Sequence, residues 1–163
     1  RVDPKAFIKG LPYTHPFRQA AEGLQSPPLR IDVALAPVQL ALSVDERAFG
    51  KRRDAQVLTP AVQEALQQGN VEILSTSQPA EMNLTLQADA RPGGNGHGIF
   101  TVYVDLIGTV TNAGGELIFT QTLTQIKGNQ LDLPRATDDA YNKAAERIQS
   151  EFVPALIRLW HGF

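Results

Sequence analysis

The segment ARPGGNGHGIF, residues 90–100, contains the residue types that come closest to a chemical site, with four glycines and a histidine between positions 93 and 98. A glycine-rich backbone can hold a phosphate where it leads into the N-terminus of a helix. Here the glycines precede a predicted strand, Ile99–Val110, and no Lys-Ser/Thr pair or βαβ unit completes a nucleotide-binding motif. We therefore interpret residues 91–98 as a mobile hairpin loop, in which glycine supplies positive φ angles without steric cost.

His97 has no second metal ligand near it in the sequence. His15 and His161 are distant, and no histidine pair has the i, i+3 or i, i+4 spacing of a zinc site. The chain has no cysteine, which excludes thiolate metal sites, thiol catalysis and disulfide bonds. The sequence therefore predicts no metal ligands and no cofactor-binding residues.

Acid–base and nucleophilic patterns are also missing from the sequence. Neighbouring side chains on one element point apart, so neither Asp45-Glu46 nor Asp138-Asp139 makes a general acid–base dyad by itself. No serine lies in a G-x-S-x-G motif. An enzyme would need a site that folding assembles from distant residues, for example Asp32, His97 and Asp105. The sequence predicts no catalytic residues and no enzymatic activity.

Two segments are candidates for contact with a partner. Glycine-rich loops often touch a binding partner, and the candidate contact residues of this loop are Arg91, Gly94, Asn95 and His97. The second segment is the basic run formed by Lys51, Arg52 and Arg53, which is either a solvated loop or a contact for phosphate or anionic lipid. A net charge of −2 and a pI near 5.9 argue against a nucleic-acid partner.

The length of 163 residues predicts one domain with a small appendage. Prolines recur through the first 28 residues, so we expect residues 1–28 to form an extended arm with a short helix, and residues 29–163 to form a single α/β domain. No apolar run is long enough to span a membrane. Because the sequence begins at Arg1, we expect a processed or truncated chain, with any signal peptide or lipid-attachment cysteine upstream.

Alternation of apolar and polar residues predicts the strands. The pattern begins over residues 29–35, shifts parity at Pro37 and resumes over residues 38–44, which fits a bulge or bend at a sheet edge. A short strand is expected over Val71–Leu74. The clearest strands form a three-stranded antiparallel meander with one buried face, and its apolar positions are Met82, Leu84, Leu86, Ala88, Phe100, Val102, Val104, Leu106, Leu117, Phe119 and Leu123.

Capping residues predict two principal helices. The first is expected to have Thr59 as its N-cap and to end at Gly69. The second is expected to begin at Thr137, with the negative charge of residues 138 and 139 favoured by the helix dipole, and to kink or restart at Pro154. Together these elements predict an α+β fold, a two-layer α/β sandwich in which two principal helices pack on one face of a mainly antiparallel sheet of four or five strands.

Several stretches resemble the small α/β domain of bacterial envelope proteins. VALAPVQLAL (33–42) resembles its first strand, and LTPAVQEALQQGNVEILS (58–75) resembles its helix and second strand. AEMNLTLQADA (80–90) stands where the group often has ADYLLTG, and FTVYVDLIGTVTNAGGELIFTQTL (100–123) resembles its hairpin. The group includes the TolB amino-terminal domain, the curli-secretion lipoprotein CsgG, LpoB-type activators of penicillin-binding proteins and FlgT-type lipoproteins.

The resemblance implies a non-enzymatic accessory or scaffold domain of the bacterial cell envelope, periplasmic or associated with the outer membrane. Its partners would be other envelope proteins and itself in a homo-oligomer, and a lipid anchor outside this chain would provide any membrane association. The proline-rich arm could add a strand to a sheet edge. Polar residues expected on the solvated face suit this role, namely Thr85, Gln87, Thr101, Thr120, Thr122 and Thr124. The alternative is a small-ligand or lipid-binding periplasmic domain, which we expect if the apolar face of residues 140–160 stands away from the sheet; an enzyme is the third.

Overall fold

The computed structural model describes residues 36–74 and 78–161, so the predicted arm, the strand over residues 29–35 and Asp32 lie outside the described residues. The strands are β1 Val38–Ala48, β2 Lys51–Arg52, β3 Val71–Leu74, β4 Met82–Gly96, β5 Ile99–Asn112 and β6 Leu117–Gln130. The helices are α1 Leu58–Gln67, α2 Leu133–Arg147 and α3 Val153–His161, and a π-helical turn, Ile148–Phe152, joins α2 to α3. No helix in this part of the chain is both long enough and apolar enough to cross a membrane.

The strands form one sheet in the order β2-β1-β4-β5-β6, with β3 also paired to β1. Strand β1 runs parallel to β3 on one side and parallel to β4 on the other. Strands β4, β5 and β6 form the antiparallel meander that the alternation predicted. The predicted α+β sandwich is confirmed, and its sheet reaches six strands because it includes the two-residue β2.

Helices α1 and α2 pack on one face of this sheet, α3 packs against α1 and the π-helical turn, and the core lies between the two layers. Alanines on α2 allow the helix to approach β6 closely: a Cβ at Gly128 would overlap the main chain of Ala136 and Ala140. The apolar face of residues 140–160 therefore packs on the sheet and does not stand away from it. The largest fully buried side chains include Leu40, Leu58, Leu66, Leu84, Leu86, Leu106, Tyr141, Ile148, Phe152 and Leu156.

Helix α1 begins one residue earlier than its predicted N-cap, so the prediction for Thr59 is wrong. The hydroxyl of Thr59 donates to Gln56 at 3.2 Å, and the carboxylate of Glu46, from β1, accepts the first main-chain N–H groups of the helix. At the other end, Gly69 donates its N–H to Leu66 O at 2.9 Å, whereas the left-handed residue is Asn70, with φ 57°. Gly69 instead leaves room for Ile157, which a Cβ would overlap.

Helix α2 also begins earlier than predicted. Asp132 is its N-cap, because its carboxylate accepts the N–H of Arg135 at 2.8 Å, and a proline occupies the first turn. Thr137 is wrong as the N-cap; it lies inside the helix, where its hydroxyl donates to Leu133 O at 2.8 Å. The helix does not stop at Pro154. It rearranges into the π-helical turn just before the proline, which has no N–H to donate, and continues as α3.

Candidate partner-binding surfaces

The glycine-rich segment is paired strand almost to its tip, so the prediction of a loop over residues 91–98 is wrong. Strand β4 continues to Gly96 and pairs with β5 from Ile99 onward. The turn itself consists of His97 and Gly98, whose φ angles of 52° and 78° are both positive. A two-residue turn of this type matches the right-handed twist of the flanking strands. The glycines therefore extend a hairpin and do not form a phosphate-binding loop.

Gly94 and its neighbours mark an irregular point in this hairpin. The register of β4 shifts between Pro92 and Gly94, and Gly94 has a φ angle of 124° that favours glycine. Gly93 lies against Tyr103, where a Cβ would overlap the ring. Asn95 and His97, the remaining candidate contact residues near the tip, are exposed.

Arg91 belongs to the body of the sheet and not to the tip. Its Nε lies 2.9 Å from Asp105 Oδ2, and its guanidinium lies 4.9 Å from the ring centroid of Tyr103. Asp105 also accepts the N–H of Gln125 at 2.7 Å. Burial acts to raise the pKa of Asp105, but the Gln125 and Arg91 interactions together hold that pKa below its usual value. Arg91 therefore has an intramolecular partner, although half of its side chain is exposed.

Two exposed apolar side chains near the hairpin were missed by the sequence analysis. Ile99 is the first residue of β5, and Leu131 directly follows the last residue of β6. The exposed fractions of these two side chains are 46% and 72%. The available signal was the position of both residues directly next to turns, where an apolar side chain has little to pack against.

The basic run divides into two exposed residues and one buried residue. Lys51 and Arg52 form the exposed strand β2. The side chain of Arg53 is only 8% exposed, its Nη2 lies 2.7 Å from Asp138, and its guanidinium lies 4.0 Å from the ring centroid of Tyr141. The structure thus separates the three predicted contact residues, because Arg53 is held inside the fold.

Glu46 is the other charged residue of this buried cluster. Its carboxylate accepts N–H groups from Val57 and Leu58 at 2.8–3.0 Å, and it lies 3.9 Å from the guanidinium of Arg53. Anions are favoured at a helix N-terminus. Asp45, its neighbour in the sequence, points to the opposite face and bonds Arg47 at 2.8 Å. The cluster therefore ties β1 to α1 and is not an acid–base site.

Tyr141 links the cluster to the sheet. Its hydroxyl donates to the main-chain oxygens of Arg47, on β1, and Ala88, on β4. Burial is the main reason that the pKa of Tyr141 is raised well above its usual value. The hydroxyl thus stays protonated and acts as a structural donor. No spacing rule in the sequence identifies this cluster, because its members come from four separate segments.

The structure separates His97 and Asp105, the two described members of the enzyme site that distant residues could have formed. His97 is at the hairpin turn, and Asp105 follows six residues after the start of β5, which corresponds to about 20 Å along a strand. Asp32 lies outside the described residues. Within residues 36–74 and 78–161, no three His, Asp or Glu side chains are arranged to hold a metal ion.

The sheet face opposite the helices carries aligned rows of small polar side chains, and we call it the outer face. Ser43, Thr85, Thr109 and Thr120 occupy paired positions across β1, β4, β5 and β6. The next row contains Asp45, Gln87, Ile107 and Thr122. Ile107 lies in the middle of this row, and 47% of its side chain is exposed.

A groove of about 620 Å³ separates α1 from the turn between α2 and α3. Its apolar part comes from Ala65, Val153 and Ile157, and its rim is polar. The groove lies within the helical layer and is open to solvent, so it differs from the enclosed pocket between helices and sheet that the ligand-binding alternative requires.

Neither a family model nor a curated protein matches this sequence. Solved structures do match the fold. A minor lipoprotein from Acinetobacter baumannii is 15% identical and has a TM-score of 0.50, with 75% of this chain and 95% of that chain covered. The rare lipoprotein B from Shewanella oneidensis is 19% identical, with a TM-score of 0.43 over 74% of this chain and 99% of that chain.

The chain has a fold that bacterial lipoproteins have. This conclusion rests on the A. baumannii structure, with its TM-score of 0.50. The resemblance to an envelope lipoprotein-type α/β domain is therefore confirmed for the fold. At 15% identity, this comparison shows that the two folds are similar. The activity and the partners have to be argued from the residues.

Proposed function

We propose that this chain is a non-enzymatic accessory domain of the bacterial cell envelope, which binds another envelope protein through the outer face of its sheet. The exposed position of Ile107 among rows of hydroxyl side chains carries this proposal. In residues 36–74 and 78–161, α1 and α2 pack on the opposite face. The fold shared with a lipoprotein supports a location in the periplasm or at the outer membrane.

The composition of the outer face suits protein binding. Protein interfaces commonly have an apolar centre and a polar rim. Here Ile107 forms the centre, and ion pairs between Asp45 and Arg47 and between Arg91 and Asp105 lie towards the rim. Serine and threonine lose little side-chain entropy on burial compared with lysine or glutamate. The rows of hydroxyls can therefore be covered by a partner at small entropic cost.

The buried polar groups support a role without catalysis. Glu46 and Tyr141 are each held by main-chain groups of the fold, and neither lines the groove. His97 lies at the hairpin turn, whereas Asp105 lies in the body of β5. A general base needs a partner within hydrogen-bond reach, and this arrangement offers none to His97 among the described residues.

Site-specific photo-cross-linking in the native bacterium tests this function. A photoreactive amino acid at position 107 should form a cross-link to one distinct envelope protein. The same group at Gln63, an exposed position of α1 outside the groove, should not form that cross-link. A second variant, Thr109→Arg, should weaken the cross-link from position 107 without changing the circular dichroism spectrum. Equal cross-linking from both positions, or fractionation of the protein with the cytoplasm, would overturn the proposal.

A second candidate function is the binding of a small ligand in this open groove, in place of the enclosed pocket that the sequence analysis expected. The apolar floor of the groove at Ala65, Val153 and Ile157 could hold an acyl chain or another small apolar ligand. Native mass spectrometry of the protein purified from bacterial membranes should then show a bound lipid. Ile157→Trp, which fills the groove, should remove it. A wild-type spectrum that contains only the bare protein mass would exclude this candidate.

A further inference from the structure

Strand β6 is an edge of the sheet, since within residues 36–74 and 78–161 it pairs only with β5. Gln121 pairs with Gly108, and Leu123 pairs with Leu106. Main-chain groups of successive strand residues point alternately to the two sides. The N–H and C=O groups of Thr120 and Thr122 therefore point away from β5. Such an unpaired row can accept a further strand.

The two halves of this edge differ in how they are protected. In the half that follows the bulge at residues 124–125, side chains of α2 bond the outward groups: Asp139 accepts the N–H of Asn129 at 2.9 Å, and Lys143 donates to Lys127 O at 3.2 Å. In the half that precedes the bulge, Thr120 and Thr122 have no such partner among the described residues. This first half, residues 117–123, is the open edge.

The sequence of the open edge lacks the usual protection against pairing. Residues 117–126, LIFTQTLTQI, include no charged residue and no proline, which are the common means of blocking an exposed edge. Charges appear only at the two flanks, Glu116 and Lys127. An uncharged edge of this kind is free to pair with another strand.

We propose that two copies of this chain pair antiparallel along β6, across a two-fold axis at Gln121. In this register Thr120 lies opposite the partner's Thr122, and the two residues exchange main-chain hydrogen bonds. Symmetry repeats the exchange at Thr122, so the outward groups of both strands are satisfied. Gln121 lies opposite the partner's Gln121 as a non-hydrogen-bonded pair on the two-fold axis. The two sheets then continue as one.

A second copy fits this edge better than an unrelated segment because the edge complements itself. The same antiparallel register pairs residues 119–123 with the partner's residues 123–119, so the contact stays within the open edge and clear of the α2 side chains that cover Lys127 and Asn129. The uncharged stretch between the flanks places no like charges opposite each other. Two-fold pairing that uses one patch on both copies also gives a closed dimer. The inference concerns the edge and leaves the outer face free, so it stands independently of the function proposed above.

Charge reversal at the axis tests the register. Light scattering after size-exclusion chromatography should show the full chain as a dimer. Gln121→Glu and Gln121→Lys should each give a monomer, since each places like charges opposite one another. An equal mixture of the two variants should restore a dimer, which shows that both still fold. A monomeric wild-type chain, or a dimer that persists in both variants, would overturn the proposal.

A cysteine scan provides a second readout, because the chain has no native cysteine. Residues opposite each other in a non-hydrogen-bonded antiparallel pair are close enough for a disulfide, with Cα atoms about 4.5 Å apart. Gln121→Cys should therefore form a disulfide-linked dimer under mild oxidation. Gln130→Cys, the same substitution on the same strand, should not, because the register places the two copies of residue 130 far apart. Equal rates of dimer formation would contradict the pairing at Gln121.

Discussion

Replacement of Glu46 by alanine should destabilise the domain strongly, because this carboxylate is 2% exposed and serves two purposes. It accepts the N–H groups that begin α1, and it lies beside the buried guanidinium of Arg53. Loss of a helix N-cap costs about 1 kcal/mol. Removal of one member of a buried ion pair costs about 3–5 kcal/mol, since the other charge stays buried. Arg53 retains Asp138, so the two costs do not add fully, and we expect about 3–4 kcal/mol in total.

Urea unfolding followed by circular dichroism measures this loss. The unfolding midpoint of Glu46→Ala should fall while the slope m stays close to that of the wild type. In a domain of this size, 1 kcal/mol corresponds to roughly 4 °C in Tm, so a thermal scan should show a decrease of about 12–16 °C. Glu46→Gln keeps the shape and one acceptor oxygen but loses the charge, and it should lose about half as much stability.

The matched control is Asp45→Ala, the neighbouring residue in the same strand. Asp45 points to the other face, and its ion pair with Arg47 is exposed to solvent. Such a pair contributes about 0–1 kcal/mol, so the control should unfold close to the wild type. If Glu46→Ala and Asp45→Ala unfold within about 1 kcal/mol of each other, the buried carboxylate does not stabilise the start of α1 as described.

Three further predictions follow from the packing and the ion pairs. Tyr141→Phe should lose about 1–2 kcal/mol in urea unfolding, because the hydroxyl bonds to Arg47 O and Ala88 O disappear; an unchanged midpoint would contradict the bonds. Gly128→Ala should lose more than about 2 kcal/mol, since its Cβ would overlap the main chain of α2, whereas Gly96→Ala has open space and should stay within about 0.5 kcal/mol. The hydrogen bond from Lys143, which outweighs burial, and that from the Asn129 N–H lower the pKa of Asp139. The contribution of Asp139 to the free energy of unfolding should therefore be fully present above the ordinary aspartate pKa of about 3.9. It should be lost as the pH falls through the lowered pKa. In an acid titration, the stability of Asp139→Asn should decrease less steeply than that of the wild type.

The strands of the meander could be predicted from the sequence because each carries a strict alternation. Leu84 and Leu86 on β4, and Val102 and Val104 on β5, all face the core as expected. The pairing of β1 with β4 could not be predicted, since these strands are far apart in the chain and no local pattern encodes a parallel register. The local alternation determines to which side of the sheet each side chain points, whereas the order of the strands depends on the packing of the whole sheet.

The helix starts show why local capping rules failed twice. Thr59 is a good N-cap by residue type, but a carboxylate from β1 already accepts the first N–H groups of α1. Thr137 is likewise a good N-cap, but Asp132 meets the same requirement five residues earlier, with a proline in the first turn. For α1 the acceptor is Glu46, which is distant in sequence, so only the tertiary structure reveals it. For α2 the N-cap is Asp132, which could have been recognised from the sequence.

The candidate surfaces were predictable only in part. Thr85 and Thr120 were expected on the polar face, but their alignment with Ser43 and Thr109 depends on the registers of three strand pairs. Ile107 continues the outward parity of Tyr103 and Asp105, so its exposure followed from the alternation alone. The open edge of β6 could not be found from the sequence, because an edge strand is defined by a neighbour that it lacks.

The basic run illustrates how burial changes the meaning of a charge pattern. Three adjacent cations suggest a surface for phosphate or anionic lipid, and such binding gains from every cation that stays solvated. Arg53 does not contribute to such a surface, because its guanidinium is buried against Asp138, Glu46 and the ring of Tyr141. Only Lys51 and Arg52 remain exposed. Two cations on a two-residue strand give weak attraction to an anionic membrane, about 1 kcal/mol for each residue, so the outer face and the open edge of β6 are the stronger candidates for contact.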